Sequence, residues 1–258
     1  MASYAGAIES NREMAVTLIE QAGGQGADLV ILPELWLSGY DVARLADDVK
    51  NSAEPLDGLT ITTMRELAAR LGIWICAGSI LESTPEGHYN TAVVIDRSGE
   101  IRARHRKQHL YPFTGEDVIF VAGDRDTVFV DDELGTVGVS ICFDGDFPET
   151  ARRLGAAGVD MVLQPNGYES AAAGYWDLLY PAAALANAQW WVLANQCGTN
   201  ATSELLGASS VIAPDGSIEA QASRIGEVGA GQPEVVLVRL TERAAYQDVR
   251  AFAAALRA

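Results

Sequence analysis

Positively charged side chains are scarce in this chain, and lysine is the scarcest of them. The 258 residues include 18 lysines and arginines against 35 aspartates and glutamates, so the formal net charge is −17. Lys50 and Lys107 are the only lysines in the sequence. A chain this acidic repels phosphate backbones and anionic lipid headgroups, which argues against nucleic-acid and membrane-surface binding.

Cysteine and long apolar runs are also in short supply. The three cysteines, Cys76, Cys142 and Cys197, lie far apart without a CxxC pair, which argues against a disulfide framework and a zinc finger. We expect Cys76 and Cys197 to be small buried hydrophobes. No apolar run reaches the roughly 18 residues that a membrane helix needs, and residues 1–14 do not resemble a signal peptide. We therefore expect a cytoplasmic protein.

The spacing of apolar residues alternates between helix-like and strand-like segments, which is typical of a layered α/β protein. Strands at 159–163 and 191–194 are apolar on consecutive residues, so both of their faces should be covered. Residues 1–258 contain no linker or low-complexity segment, and we expect one domain. The predicted strand at 27–32 is awkward, because no obvious strand precedes the first helix to pair with it.

The stretch 104–126 has little periodicity, and loops of that length in compact domains are usually functional. It contains His105, Lys107 and His109, which project to one face if the backbone is extended. The same run also fits a solvated basic loop. A metal site is the weaker interpretation, since no HExxH pattern is present.

Two further segments place reactive side chains at the ends of apolar strands. Glu34 follows the strand at 29–32 among apolar neighbours, where an enclosed carboxyl group would have a raised pKa and could accept protons. Cys142 lies at a strand-to-helix corner, where backbone N–H groups could bind an oxyanion. Each also has a plainer interpretation: Glu34 as a solvated rim residue, Cys142 as a buried thiol, and Asp146 nearby as a helix N-cap.

Three motifs occur in order along the chain: PELWLSGY from Pro33, RKQHLYP from Arg106 and ICFDGDFPE from Ile141. Lys107 follows Glu34 by 73 residues, and Cys142 follows Lys107 by 35. In this order and spacing the sequence resembles the nitrilase-like carbon-nitrogen hydrolase superfamily over nearly its whole length.

The resemblance implies an α/β fold with four layers, an α-β-β-α sandwich. It also implies a catalytic triad of Glu34, Lys107 and Cys142, with Glu116 as a second glutamate that orients the lysine. The backbone N–H of Phe143 would join Lys107 in stabilising an oxyanion. No cofactor and no metal are implied.

Departures from the family motifs bear on the substrate. True nitrilases usually have Trp-Glu after the cysteine, whereas Phe143 and Asp144 follow here, which favours amides over nitriles. Members that act on carboxylated amides often have arginine where this chain has Asp146. We therefore expect small, neutral aliphatic amides as substrates, bound beside Asp146. The aromatic residues expected at the pocket rim are Trp36, Tyr40, Tyr111, Phe113, Phe143, Tyr168 and Trp176.

Family members commonly pair through helices on one face, so the resemblance also implies a homodimer or higher homo-oligomer. The alanine-rich tail at 244–258, with Tyr246 and Phe252, suits such packing.

Three other functions stay open. An N-carbamoyl amine or amino-acid hydrolase would use the same chemistry, and Asp146 would tolerate a cationic substrate. A Cys-His hydrolase would use Cys142 with His105 or His109 as its base. A non-catalytic oligomeric scaffold would have an unreactive Cys142.

Overall fold

Helices and strands alternate along the chain, as the sequence predicts for an α/β protein. The computed structural model describes residues 1–199, 203–227, 231–241 and 244–255. The α-helices are α1 (Ile8–Gly24), α2 (Leu45–Ser52), α3 (Leu59–Leu71), α4 (Glu116–Ile119), α5 (Pro148–Ala156), α6 (Ala173–Asn187) and α7 (Ala244–Ala255). Short 3-10 helices span Val42–Arg44, Pro112–Thr114, Cys142–Asp146 and Ser170–Ala172.

The strands form two main sheets. They are β1 (Leu29–Ile31), β2 (Trp74–Thr84), β3 (Gly87–Ile95), β4 (Ile101–Arg106), β5 (Thr127–Asp131), β6 (Gly135–Val139), β7 (Met161–Asn166), β8 (Trp190–Asn195), β9 (Cys197–Thr199), β10 (Glu204–Leu206), β11 (Ser210–Ile212) and β12 (Ile218–Gln221). The first sheet has the order β1-β2-β3-β4, the second has the order β12-β11-β8-β7-β6-β5, and β9 and β10 form a separate pair. Strands β6, β7 and β8 are parallel, so their carboxyl ends meet at one edge.

The two sheets pack face to face, and helices cover both outer faces. Alternation along β2 shows this directly: Cys76 faces the core shared with the second sheet, whereas Ile75 faces α1 and α3. On the second sheet, α5 and α6 pack over the other face. The four-layer α-β-β-α sandwich expected from the resemblance is therefore confirmed.

The two cysteines expected to be buried differ in their surroundings. Cys76 lies in the core between the sheets, and burial raises the pKa of its thiol to about 12. Cys197 is only half-buried, and its thiol donates a hydrogen bond to the carbonyl of Gln232. Cys76 is therefore an inert core residue, as predicted, whereas Cys197 reaches the surface.

The structure departs from the predicted elements mainly around the charged segments. Strand β4 runs through Arg106, although the stretch from 104 was expected to be irregular. Strand β5 begins directly after the stretch expected to be irregular, and residues 234–240 form no regular strand despite their apolar run. Strand β1 pairs with β2 alone among the described strands, so its outer edge is open onto a groove of about 1190 Å³.

The C-terminal tail begins as α7, and one of its aromatic residues packs within the chain. Tyr246 is fully buried, with its ring 5.5 Å from that of Trp190. The Phe252 side chain and residues 256–258 lie outside the described residues. Within the part of the chain that the structure describes, no helix is long and apolar enough to span a membrane.

Truncation of Leu163 tests the packing between the sheets. Leu163 lies in β7 and is completely buried in that core. We expect Leu163→Ala to lower the free energy of unfolding by about 2–5 kcal/mol, because the lost contacts leave a cavity. Urea titration followed by circular dichroism measures the change. Leu59→Ala removes the same atoms from an exposed position and serves as the control; equal losses in the two variants would contradict the assigned packing.

Candidate active site

Lys107 lies just beyond the end of β4, on the inward face of that strand. Its backbone N–H donates to the carbonyl of Asn90 at 2.9 Å, which continues the pairing of β4 with β3. Burial alternates along this segment, so Ala103, His105 and Lys107 face inward. Of the three side chains expected to share a face, His105 and Lys107 do so, whereas His109 lies beyond the strand and is half-buried. The lysine is not part of a solvated loop.

Glu34 follows β1 at a sharp corner that the second sheet holds in place. Its backbone N–H donates to the carbonyl of Asn166 at 3.2 Å, and Gln196 Nε2 donates to its carbonyl at 2.6 Å. The next residue, Leu35, has a φ of 43°, in the left-handed region that side chains rarely adopt. The corner therefore turns the Glu34 side chain into the molecule, away from the rim.

Glu34, Lys107 and Glu116 form a buried charge cluster. Lys107 Nζ lies 2.8 Å from Glu34 Oε1 and 2.8 Å from Glu116 Oε2, and all three side chains are 0% exposed. Tyr40 donates its hydroxyl to Glu116 Oε1 at 3.1 Å, and the backbone N–H of Tyr111 donates to Oε2 at 2.8 Å. The ammonium group thus bridges two carboxylates that other donors hold in place.

The pKa values of the residues in the buried charge cluster are set by their burial and by the charges of one another. Burial alone would lower the pKa of Lys107, but the carboxylates of Glu116 and Glu34 outweigh it and raise that pKa well above its ordinary value. Burial raises the pKa of Glu34, and the opposing attraction of Lys107 does not cancel it. The lysine therefore stays charged, and Glu34 is a stronger proton acceptor than an exposed glutamate.

Cys142 begins a 3-10 helix, Cys142–Asp146, which we call the Cys142 turn. Its φ of 43° is strained for a residue with a side chain, and such strain costs about 1–3 kcal/mol. Burial raises the pKa of its thiol, Glu34 raises it further, and Lys107 opposes both. The Cys142 thiol in turn acts to lower the pKa of Glu34, so the two groups are neighbours.

One oxygen of Glu34 is left available beside the thiol. Oε1 accepts hydrogen bonds from Lys107 and from Asn90 Nδ2, at 2.8 and 2.9 Å. Oε2 is buried and has no hydrogen-bond partner among the described residues. A side chain at Gly167 would place its Cβ 3.2 Å from Oε2, so glycine keeps this space open.

Asp144 links the Cys142 turn to the segment that carries Lys107. Its carboxylate accepts hydrogen bonds from His105 Nε2 and His109 Nδ1, both at 2.9 Å, and from the backbone N–H groups of Gln108 and His109. It also accepts from the N–H of Ile141 within its own turn. One buried carboxylate therefore sets the position of the lysine segment relative to the thiol.

His105 and His109 both donate hydrogen bonds to the Asp144 carboxylate. Burial alone would raise the pKa of Asp144, but the hydrogen bonds from His105 and His109 outweigh it and hold that pKa well below its ordinary value. The ring of His109 also stacks on that of Phe147, at 4.1 Å. This arrangement does not support either histidine as the base for Cys142.

Asp146, at the end of the Cys142 turn, is not a helix cap. Helix α5 begins after Phe147, and no side chain caps its first turn. Asp146 instead accepts hydrogen bonds from Tyr168 Oη at 2.9 Å and from Tyr180 Oη at 3.3 Å. Burial raises the pKa of Asp146 to about 6, although both tyrosines act to lower it.

The aromatic residues expected at the pocket rim are divided between rim, wall and core. Tyr111 is half-buried, with its ring 4.9 Å from that of Phe143, and Phe113 is 82% exposed. Tyr40 forms part of the wall behind Glu116. The expectation for Trp36 is wrong: its ring lies in the core beneath α1 and α3, and Nε1 donates to the carbonyl of Ala77 at 2.7 Å. Tyr168 and Trp176 are buried against each other.

Several residues of this site had no signal in the sequence. Asn90 and Gln196 contact Glu34 from β3 and from the residue after β8, far from any motif. Tyr180 reaches Asp146 from the middle of α6. In the described residues, no group of three His, Cys, Asp or Glu side chains converges to hold a metal ion.

Known proteins match this chain along most of its length. The family description "Carbon-nitrogen hydrolase" matches residues 1–242. A protein named nitrilase from Pyrococcus abyssi is 33% identical over 90% of this chain and 86% of its own. A 2-oxoglutaramate amidase from Bacillus subtilis is 31% identical over 84% of this chain and 81% of its own. A mutant amidase from Nesterenkonia sp. AN1, solved with butyramide, superposes with a TM-score of 0.75 at 26% identity, covering 86% of this chain and 83% of that one.

Replacement of Asp144 tests its role as a positioning residue. We expect Asp144→Asn to lower the free energy of unfolding by roughly 3 kcal/mol at pH 7, because charged hydrogen bonds in a buried site are lost. The pKa of Asp144 is lower in the folded state than in the unfolded state, where it is near 3.8. The contribution of Asp144 to the free energy of unfolding is therefore complete above pH 3.8 and is lost as the pH falls towards the pKa of the folded state. Urea titrations should give the same difference in free energy of unfolding between the two chains at pH 7 and pH 5, and a smaller difference at pH 4.

The exposed Asp124→Asn is the matched control for that measurement. If Asp144→Asn and the unchanged chain had the same free energy of unfolding at pH 7, the role given to Asp144 would be contradicted.

Proposed function

Because the chain belongs to the carbon-nitrogen hydrolase family, and so hydrolyses carbon-nitrogen bonds other than peptide bonds, we propose that it is a cysteine-dependent amidase. Its substrates are small, neutral aliphatic amides, which it converts to carboxylic acid and ammonia. The observation that carries the proposal is the buried charge cluster beside the Cys142 thiol. The cluster and the thiol together supply the groups that acyl transfer needs. Cys142 is the nucleophile, Glu34 Oε2 is the proton acceptor, and Lys107 is the cationic donor to the oxyanion.

In the first step, Cys142 Sγ attacks the carbonyl carbon of the amide while Glu34 Oε2 takes the thiol proton. The raised pKa of Glu34 suits this transfer, and the thiol needs it because its own pKa is raised. The carbonyl oxygen becomes an oxyanion, stabilised by Lys107 Nζ and the backbone N–H of Phe143. Losing one such donor typically costs about 10²- to 10³-fold in rate.

In the second step, the tetrahedral intermediate collapses. Glu34 returns its proton to the amide nitrogen, the carbon-nitrogen bond breaks, and ammonia leaves a thioester on Cys142. Glu34 then takes a proton from water as that water attacks the thioester carbonyl. The carbon-sulfur bond breaks, Glu34 returns the proton to the sulfur, and the carboxylic acid departs.

Glu116 acts on Lys107 in this scheme. With Glu34 alone, the lysine would follow that side chain as its charge changes. With Glu116 at 2.8 Å and fixed by Tyr40 and Tyr111, the ammonium keeps a constant carboxylate partner. The lysine therefore stays aimed at the oxyanion throughout the cycle.

The proposed substrate class rests on the surroundings of the thiol. Asp146 is close enough to raise the pKa of Cys142, so a substrate carboxylate would be repelled there. The Bacillus subtilis relative is named for an amide that carries a carboxylate, whereas the Nesterenkonia amidase was solved with butyramide, which is neutral. Among these two, the butyramide-bound protein is the better guide to this chain.

A second candidate reaction is hydrolysis of N-carbamoylated amines. It uses the same thiol, base and oxyanion donors, and the partly buried Asp146 favours a substrate of positive charge.

We also propose that the protein is a homo-oligomer. Tyr175, Leu178 and Leu185 expose large apolar side chains along α6, and a second copy packed on this helix would cover them.

Substitutions at Cys142 and Glu34 test the mechanism. We expect Cys142→Ala to lower ammonia release from propionamide by at least about 10³-fold, and Glu34→Gln by about 10²- to 10⁴-fold. Added hydroxylamine should trap the thioester as a hydroxamate. Cys197→Ala, a cysteine away from the site, is the matched control. Activity that survives Glu34→Gln but not His109→Ala would support a Cys-His hydrolase, and an unreactive Cys142 would support a scaffold.

The pH dependence of activity tests the assignment of the base. Glu34 must be ionised, and its pKa lies above the ordinary 4.5, so kcat/KM for propionamide should fall with decreasing pH around a midpoint above 4.5. Asn90→Ala removes a hydrogen bond that favours the charged form and should move this midpoint to higher pH. A pH dependence that vanishes in Asp146→Asn would instead assign the titration to Asp146.

A further inference from the structure

Asp146 is a charged group of the site that the proposed chemistry does not use. Its two carboxylate oxygens accept hydrogen bonds from Tyr168 and Tyr180, and it retains some exposed surface. In the described parts of the chain, no lysine, arginine or histidine lies within ion-pair distance of it. A partly buried carboxylate without a cationic partner is costly, so its retention calls for a role.

The surrounding hydrogen bonds favour the ionised form of Asp146. Tyr180 Oη accepts from Gln164 Nε2 at 2.9 Å and so presents its own proton to Asp146. Ser140 donates to Gln164 Oε1 at 2.7 Å, which fixes the orientation of that amide. Gly145 permits this contact, since a Cβ there would lie 2.4 Å from Gln164 Oε1. The Cys142 turn is thus built to hold a carboxylate against two hydroxyl donors.

Asp146 and Glu34 both lie near the thiol, since the charge of each raises its pKa. Asp146 ends the turn that Cys142 begins, and Tyr168, its hydrogen-bond donor, follows Gly167, which borders Glu34 Oε2. That oxygen, fully buried and without a partner of ordinary geometry, marks the place where a polar group of the substrate is received. Asp146 shares the short Cys142 turn with the thiol and keeps some exposed surface, so it lies within reach of a substrate bound at the sulfur.

A second acidic residue lies near Tyr111 at the rim. Glu169 follows Tyr168 and is half-buried, with Ser203 donating to its Oε1 at 2.6 Å. Burial raises the pKa of Tyr111, and the charges of Glu169, Cys142 and Asp146 raise it further. Glu169, Asp146 and the thiol therefore all lie near the Tyr111 hydroxyl.

We infer that the acyl pocket selects amides whose far end carries a protonated amine, with Asp146 as the counter-ion and Glu169 as a second attractive charge. This inference rests on the proposed amidase function and makes amides with a cationic end, in place of neutral ones, its preferred substrates. A primary ammonium offers three N–H donors, which suits carboxylate oxygens that keep lone pairs beyond the tyrosine bonds. Neutral amides can react at the same thiol but are not attracted by the carboxylates, and amides that carry a carboxylate are repelled by them.

The test compares pairs of amides that share a shape and differ in charge. Butyramide and 3-aminopropanamide form one pair, pentanamide and 4-aminobutanamide another, and succinamate supplies a negative end. We expect kcat/KM at pH 7.5 to favour at least one aminoamide over its neutral partner by about 10-fold or more. In Asp146→Asn this ratio should fall by about 10-fold, and succinamate should improve relative to pentanamide.

Two further variants complete the experiment. Glu149→Gln removes an exposed acidic residue just past the Cys142 turn and should leave every ratio unchanged. Glu169→Gln should lower the aminoamide preference by a smaller factor than Asp146→Asn. If Asp146→Asn hydrolyses no amide, Glu169→Gln decides the question, and an unchanged ratio there overturns the inference.

The outcomes separate the inference from the function on which it rests. Ready hydrolysis of butyramide with no aminoamide preference, or with a preference that Asp146→Asn does not alter, overturns the charge selection and leaves the amidase proposal standing. Failure of every amide in the unchanged chain overturns the amidase proposal itself.

Discussion

The ammonium group of Lys107, enclosed between two buried carboxylates, is the interaction on which the rest of the site depends. Moving these three charges out of water is expensive, and their mutual contacts at 2.8 Å offset that cost together with the hydrogen bonds from Tyr40, Tyr111 and Asn90. The partners come from three distant places: the corner after β1, the end of β4 and the start of α4. Removing Lys107 would leave two buried carboxylates without a cationic partner, so the lysine ties the first sheet to the loop at 107–120.

The main chemistry could be predicted from the sequence because it resides in short motifs whose order and spacing are unusual. Glu34, Lys107 and Cys142 each end or follow a strand, and the structure brings them together. Asn90 and Gln196 could not be predicted, since a single polar residue near a strand end has no local pattern and its partner is set by the packing of two sheets. Trp36 was misplaced for a related reason: its position in a functional motif outweighed its apolar character.

The fold was predictable where apolar periodicity was strong and less so where charge concealed it. Strand β4 alternates buried and exposed residues, but its sequence Ile101–Arg106 consists largely of arginine and histidine. This composition hides the apolar alternation, so the sequence predicts an irregular segment from residue 104. The exposed arginines of β4 face solvent and acidic partners such as Glu82, whereas the alternate positions point to the interior. The four-layer arrangement came from the family resemblance, because periodicity alone does not determine how sheets pack.

The strained, buried position of Cys142 has a consequence for the protein's chemistry in oxidising conditions. Peroxides attack thiolates and not thiols, so a cysteine oxidises in proportion to the fraction that has lost its proton. Here burial and the neighbouring Glu34 keep the sulfur protonated until a carbonyl group is in place to draw the proton off. A raised thiol pKa therefore disfavours sulfenic acid formation at Cys142 while no substrate is bound.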